Sequence, residues 1–256
     1  MDRYEVSAYN TSTKSNNLIH DDSVARQFGF RGGLVAGVDV YAYLAHLPVA
    51  RWDRDWLTHG TLRARFHEPI YDGEAATTTM DHDGTLELRN PSGALCAGGI
   101  ATIERETPID VACGGALPHP IPAATPELLA VDTVFAPLRL GFHAEFAPPY
   151  LNDVRETHPA YSELRCAHPG WLLRQANNVL VANVRLGPWI HVESWVRNHA
   201  IVADDARLEV RAVVRNEWER KGHRFVTLDV AVLADDQPAA SIEHTAIWRT
   251  RAPDPR

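Results

Sequence analysis

Apolar positions along this chain follow two spacings, and the two alternate in the same order twice. Residues 38–47 (VDVYAYLAHL), preceded by Gly37, are apolar over helix length, and so are residues 171–180 (WLLRQANNVL), preceded by Gly170. Each predicts one long helix. A strand-like run follows each helix, at 59–72 and 191–204, with a constant offset of 132 between the two. In that register His59 and His191, His67 and His199, and Asp72 and Asp204 are identical pairs. Period-2 alternation then continues over 74–80, 85–89 and 94–104 in the first half, and over 207–218, 223–233 and 239–249 in the second. Turns at 220–222 and 235–238 break the latter. The order predicts a duplicated α+β unit, an antiparallel sheet around one central helix. Its two copies would pair about a pseudo-twofold, because each leaves apolar surface that the other can cover.

Residues 107–137 interrupt the pattern. Six prolines fall there, with Gly114-Gly115 and many alanines, and no hydrophobic period runs through. The stretch reads as a surface-crossing linker between an N-terminal domain, 1–106, and a C-terminal domain, 138–256.

Composition narrows the function classes. With 256 residues and 45% hydrophobic content the chain is a folded globular protein, not a disordered one. No apolar run approaches the roughly 20 residues of a membrane span, and the first five residues lack the basic start of a signal peptide. Cys96, Cys113 and Cys166 form no close metal-ligand pair, which fits a reduced, cytoplasmic setting and no metal. A net charge of -8 without a basic cluster argues against nucleic acid as a partner. Only Lys14 and Lys221 among 25 basic residues are lysines, which reads as a codon-composition bias.

Chemistry concentrates in residues 16–37, NNLIHDDSVARQFGFRGGLVAG. This stretch resembles the hydratase motif of the MaoC-like acyl dehydratases, which include the (R)-specific enoyl-CoA hydratases. Asn17, Ile19, His20, Asp22, Ala25, Gly29, Phe30 and Gly37 fit that pattern; Leu18 stands where proline is usual. Five positions before the histidine the family's hydratases carry an Asp, and here the residue is Ser15. The resemblance implies a tandem (double) hotdog fold, with two curved antiparallel sheets each wrapped around a central helix. It also implies an acyl thioester, on coenzyme A or a carrier protein, as substrate. The implied reaction is reversible hydration of a 2-enoyl thioester, with no cofactor. His20 would exchange the proton, Asn17 and Ser15 would hold the water, and the Gly37 and Gly33 region would stabilise the thioester oxygen. A serine cannot serve as a carboxylate base at neutral pH. Two other readings therefore stand beside it: another reaction on the same scaffold, such as thioester hydrolysis with Glu156 or Asp153 as the base or a specialised lyase or cyclisation step, or a non-catalytic acyl-binding subunit.

The second half admits two registers. Asp153 and His158 have the Asp-x4-His spacing, whereas Glu156-Thr157-His158-Pro159-Ala160-Tyr161 resembles the degenerate form of the motif, with Tyr161 in place of the histidine. Both gather Asp153, Arg155, Glu156 and His158 just before the second helix. Asn17 can also be read as a helix cap and Asp21-Asp22 as helix N-terminal charges. His59, His67, His191 and His199 read as structural strand residues, and the seven tryptophans as core and interface bulk. A homodimer of two-unit protomers is the expected assembly.

Overall fold

The computed structural model describes residues 1–13 and 15–251. The first half contains β1 (Asp2–Ser7), α1 (Asp22–Gln27), α2 (Gly37–His59), β2 (Gly60–Phe66), β3 (Ala75–Met80), β4 (Thr85–Arg89) and β5 (Leu95–Ile103). The second contains β6 (Leu138–Gly141), α3 (Ala147–Asp153), α4 (Ala160–Glu163), α5 (Pro169–Asn183), β7 (Ile190–Asn198), β8 (Arg207–Arg220), β9 (His223–Ala234) and β10 (Gln237–Arg249). Among the described residues no helix is long and apolar enough to cross a membrane.

All ten strands form one sheet, in the order β1-β3-β4-β5-β2-β7-β10-β9-β8-β6. Read inward from either edge, the two halves run through their strands in the same sequence, as a duplicated unit requires. Where two sheets were expected there is one continuous sheet. The reason lies at β2 and β7, which would otherwise leave rows of unpaired N–H and C=O groups facing each other. They pair antiparallel from Thr61 opposite Arg197 to Arg65 opposite Glu193. The ladder is symmetric about Arg63 and Trp195, two positions related by the same offset of 132 that the sequence carries.

Helix α2 packs on β1 to β5 and on β7, and α5 on β6, β8, β9 and β10. Every residue from Val38 to Ala45 is buried, polar Asp39 included. Asp39 is matched across the helix pair by Arg174 of α5, and it accepts a hydrogen bond from Thr11 Oγ1 at 2.7 Å. Pro48 sits inside α2, and the helical path breaks at Asp53, where φ is 48°. The helix outruns its expected end at residue 47 because Val49, Trp56 and Leu57 carry the buried stripe onward.

No named strand lies between β5 and β6. The crossing segment touches the sheet at one isolated bridge, Val134 with Val213, meets the chain after α5 at another, Ala123 with Arg185, and is pinned by buried Val111, Leu129 and Phe135.

Candidate functional site

The motif residues fold into a tight local unit. Asn17 caps a single 3-10 turn, Leu18–His20, and buried Ile19 anchors it in the core. Asp21 caps α1 through the N–H groups of Ser23 and Val24. Asp22 reaches back to accept from the Gly33 N–H at 2.8 Å. A Cβ at Gly33 would come within 2.1 Å of the His20 carbonyl oxygen, so only glycine lets these two segments meet.

That unit fixes His20. Its Nδ1 lies 2.7 Å from the Leu34 carbonyl oxygen, an acceptor only, so Nδ1 carries the proton. Nε2 is then left with a lone pair, 3.4 Å from Asn17 Nδ2. Burial lowers the His20 pKa below its ordinary value; the Leu34 bond opposes that, and the Arg174 charge adds to it. At neutral pH His20 is thus a free base. Asn17 holds the backbone of Trp189 from both sides, donating to its carbonyl at 2.9 Å and accepting from its N–H at 3.1 Å. The first-half motif is in this way bolted to the chain leading into β7.

His20 opens onto a cavity of about 350 Å³ between the halves. Val35, Gly37, Phe66 and Ile70 line it from the first half, and Trp189, Ile190 and His191 from the second. The walls are mostly apolar, with a few polar groups converging: His20, Asn17, Asn177, His191, His223 and, toward the exposed rim, His67 and Glu68. Glu68 is the one carboxylate among the described lining residues. The shape suits a small apolar chain carrying one polar functional group.

The N-terminus of α2 ends in this cavity at Gly37. Its cap residue, Ala36, offers no side-chain acceptor, so the first amides of a long helix point outward without a cap. A Cβ at Gly37 would stand 2.7 Å from His191 Nδ1. The duplicated helix is closed instead. The α5 cap residue is His168, whose Nδ1 accepts from the Gly170 N–H at 2.9 Å, and the Tyr150 hydroxyl sits 2.7 Å from where a Gly170 Cβ would be.

The second-half cluster is spread over other tasks. Glu156 is buried and accepts from His46 Nδ1 at 2.8 Å and from the N–H groups of Thr157 and His158. Burial alone would raise its pKa, but the neighbouring His168 and His46 rings outweigh burial and hold it well below the ordinary carboxylate value. Arg155 donates from Nε to the Ser7 carbonyl at 3.2 Å and lies over the Tyr9 ring, tying α3 to the first half. His158 Nδ1 accepts from the Ala160 N–H, at the start of α4. Asp153 ends α3.

Of the residues singled out from sequence, the structure brings His20, Asn17 and Gly37 to one cavity. Ser15 is exposed beside them, its hydroxyl turned onto the Asn17 carbonyl at 3.3 Å, and does not line the cavity. Gly33 supports His20 from behind, with its N–H committed to Asp22. Asp153, Arg155, Glu156 and His158 lie outside the cavity lining. Glu68 and His191, which the motif does not contain, are in it.

No family model matches the chain, and no curated protein sequence matches it. Solved structures do. A protein from Chloroflexus aurantiacus assigned as a MaoC-domain dehydratase superposes with a TM-score of 0.64 at 9% identity, over 96% of this chain and 93% of that one. A Mycobacterium tuberculosis protein with a double hotdog fold, essential for survival during infection, gives 0.58 at 14% identity, over 96% and 95%. A protein from Lactobacillus plantarum assigned as an oleoyl thioesterase gives 0.55 at 12% identity, over 98% and 96%. The fold is the double hotdog. At these identities the likeness is one of fold, and the reaction has to be argued from the site.

Proposed function

We propose that this chain acts on an acyl thioester carried by coenzyme A or an acyl carrier protein, and that it interconverts a 2-enoyl and a 3-hydroxyacyl group. One observation carries the reading. A free-base histidine and an uncapped helix N-terminus face the same mostly apolar cavity, while the duplicated helix has its own N-terminus capped. The thioester oxygen sits at the Gly37 amide, where the helix dipole favours the negative charge that develops on it. In dehydration, His20 Nε2 takes the proton from C2, and the C2 electron pair forms the C2=C3 double bond. The C3–O bond breaks, and the imidazolium returns its proton to the departing hydroxyl, releasing water. Asn17 holds the His20 face of the cavity in place; Ser15, turned onto the Asn17 carbonyl outside the cavity, takes no part in holding the water. The two hotdog units, 1–106 and 138–256 about the 107–137 linker, each keep a central helix. Two such protomers pair again as a homodimer.

A second reading has its own support. Glu68 places a carboxylate on the rim of the same cavity, where it could drive water onto the thioester carbonyl and make the chain a thioesterase. Incubation with crotonyl-pantetheine, the part common to both carriers, separates the two. Loss of the enoyl absorbance without free thiol supports hydration. Release of thiol, abolished by Glu68→Gln, supports hydrolysis, and neither change leaves only acyl binding.

A further inference from the structure

Besides His20 the cavity is lined by His67, His191 and His223, and His191, beside Gly37, is left unused by the His20 reaction. His191 of β7 is buried, and its Nε2 lies 2.7 Å from Ser194 Oγ. The same oxygen lies 3.0 Å from Nδ1 of His244 on β10, and Ser194 and His244 are both wholly buried. Among the described residues no carboxylate pairs with either ring. Among the described residues His191 Nδ1 and His244 Nε2 have no hydrogen-bond partner, and Nδ1 is the atom that faces Gly37. Resting on the acyl-thioester reading above, we infer that His191 Nδ1–H is the second hydrogen-bond donor to the thioester oxygen held at the Gly37 amide.

Geometry permits one oxygen to meet both groups. A Cβ stands about 2.5 Å from its own backbone nitrogen. The 2.7 Å gap from that Cβ position to His191 Nδ1 therefore places Nδ1 within about 5.2 Å of the Gly37 nitrogen. An acceptor at about 2.9 Å from each fits any separation up to about 5.8 Å. The absent Cβ is what leaves the approach open.

Hydrogen-bond accounting fixes the sense of the bond. Both rings are neutral: burial and the nearby His244 ring lower the His191 pKa well below the ordinary value, outweighing the Glu193 backbone that opposes them, and burial lowers that of His244 to about 3. Ser194 has one proton, so it donates to one ring and accepts from the other. If it donates to His244, the remaining His244 proton sits on Nε2, a buried donor with no acceptor. If it donates to His191, the unpartnered donor is Nδ1, and a ligand oxygen in the cavity satisfies it. An orphaned buried donor costs about 1–3 kcal/mol, so a bound carbonyl selects the second arrangement. Ser194 thus sets the ring's tautomer, and His244 sets Ser194.

The test is the carbonyl stretch of bound S-butyryl-pantetheine, labelled with carbon-13 at the carbonyl and read by isotope-edited infrared spectroscopy. Wild-type protein should shift it to lower frequency. His191→Asn keeps an N–H near the position of Nδ1 and should retain the shift. His191→Gln, whose amide reaches the Nε2 position instead, should lose part of it, with kcat/KM on crotonyl-pantetheine falling about a hundredfold. Ser194→Ala, which leaves the ring but frees its tautomer, should lie between. Equal stretches in wild type, His191→Asn and His191→Gln would overturn the inference alone. No binding of the thioester by folded wild-type protein would overturn the acyl-thioester reading and the inference with it.

Discussion

At the residue scale the chemistry depends on which ring nitrogen carries a proton. The Leu34 carbonyl fixes His20 with its lone pair toward the cavity, and burial keeps it unprotonated near neutrality. Dehydration needs that free base. Its kcat/KM on 3-hydroxybutyryl-pantetheine should rise with pH to a plateau, with an apparent pKa below the 6.5 of an unperturbed histidine. A bell centred above that value would point to another group. His20→Ala should lower turnover by at least about a hundredfold while leaving the circular dichroism spectrum unchanged. Gly37→Ala should act through space: its Cβ would press on His191, destabilising the protein by about 1–3 kcal/mol and cutting activity further than that loss explains. His20 and Gly37 were legible in the sequence because the motif is local. His191 was not. Strict alternation would put residues 191 and 194 on opposite faces of a strand. The register of β7 against β10 slips between Glu193 and His191, and that bulge turns both side chains inward. Glu68 escaped for a simpler reason, since nothing local marks the end of β2 as the wall of a cavity.

At the element scale the seam between β2 and β7 makes one body of two copies. The constant offset predicted that the copies were related, and the ladder centred on Arg63 and Trp195 shows how. The offset alone could not say that their sheets fuse, because pairing partners between copies leave no mark on either strand. The outer strands β1 and β6 were not legible either: β1 buries only Val6 and β6 buries no residue, so neither carries a buried alternating face. At the seam, burial should outweigh charge. Leu62 is wholly buried, so Leu62→Ala should cost about 2–5 kcal/mol in urea unfolding. Arg63 pairs with Glu193 at 2.6 Å, but its side chain is largely exposed, so Arg63→Ala should cost less than about 1 kcal/mol. The reverse order would mean that the halves are held by surface ion pairs.

At the scale of the whole molecule, buried ionisable groups make stability depend on pH in one direction. His191 and His244 are neutral in the fold, with pKa values lowered by burial, while an unfolded histidine gains its proton near pH 6.5. As pH falls below that value the unfolded chain binds more protons, and stability drops by up to about 1.4 kcal/mol per pH unit for each histidine. Glu156, held ionised in the fold, adds a further loss below its own unfolded pKa. Urea titrations should show stability steady above pH 7 and falling steeply from pH 6.5 toward 5; a flat profile over that range would contradict neutral buried rings.

Joined in this way, the two halves set the open end of α2, the free base of His20 and a mostly apolar cavity together. The claim that this is a site for acyl-thioester proton transfer is tested most directly by exchange at C2. 3-Hydroxybutyryl-pantetheine incubated with the protein in heavy water should gain deuterium at C2, seen as a one-dalton increase by mass spectrometry, and His20→Ala should abolish the gain. Absence of exchange with folded wild-type protein, or equal exchange with His20→Ala, would contradict it.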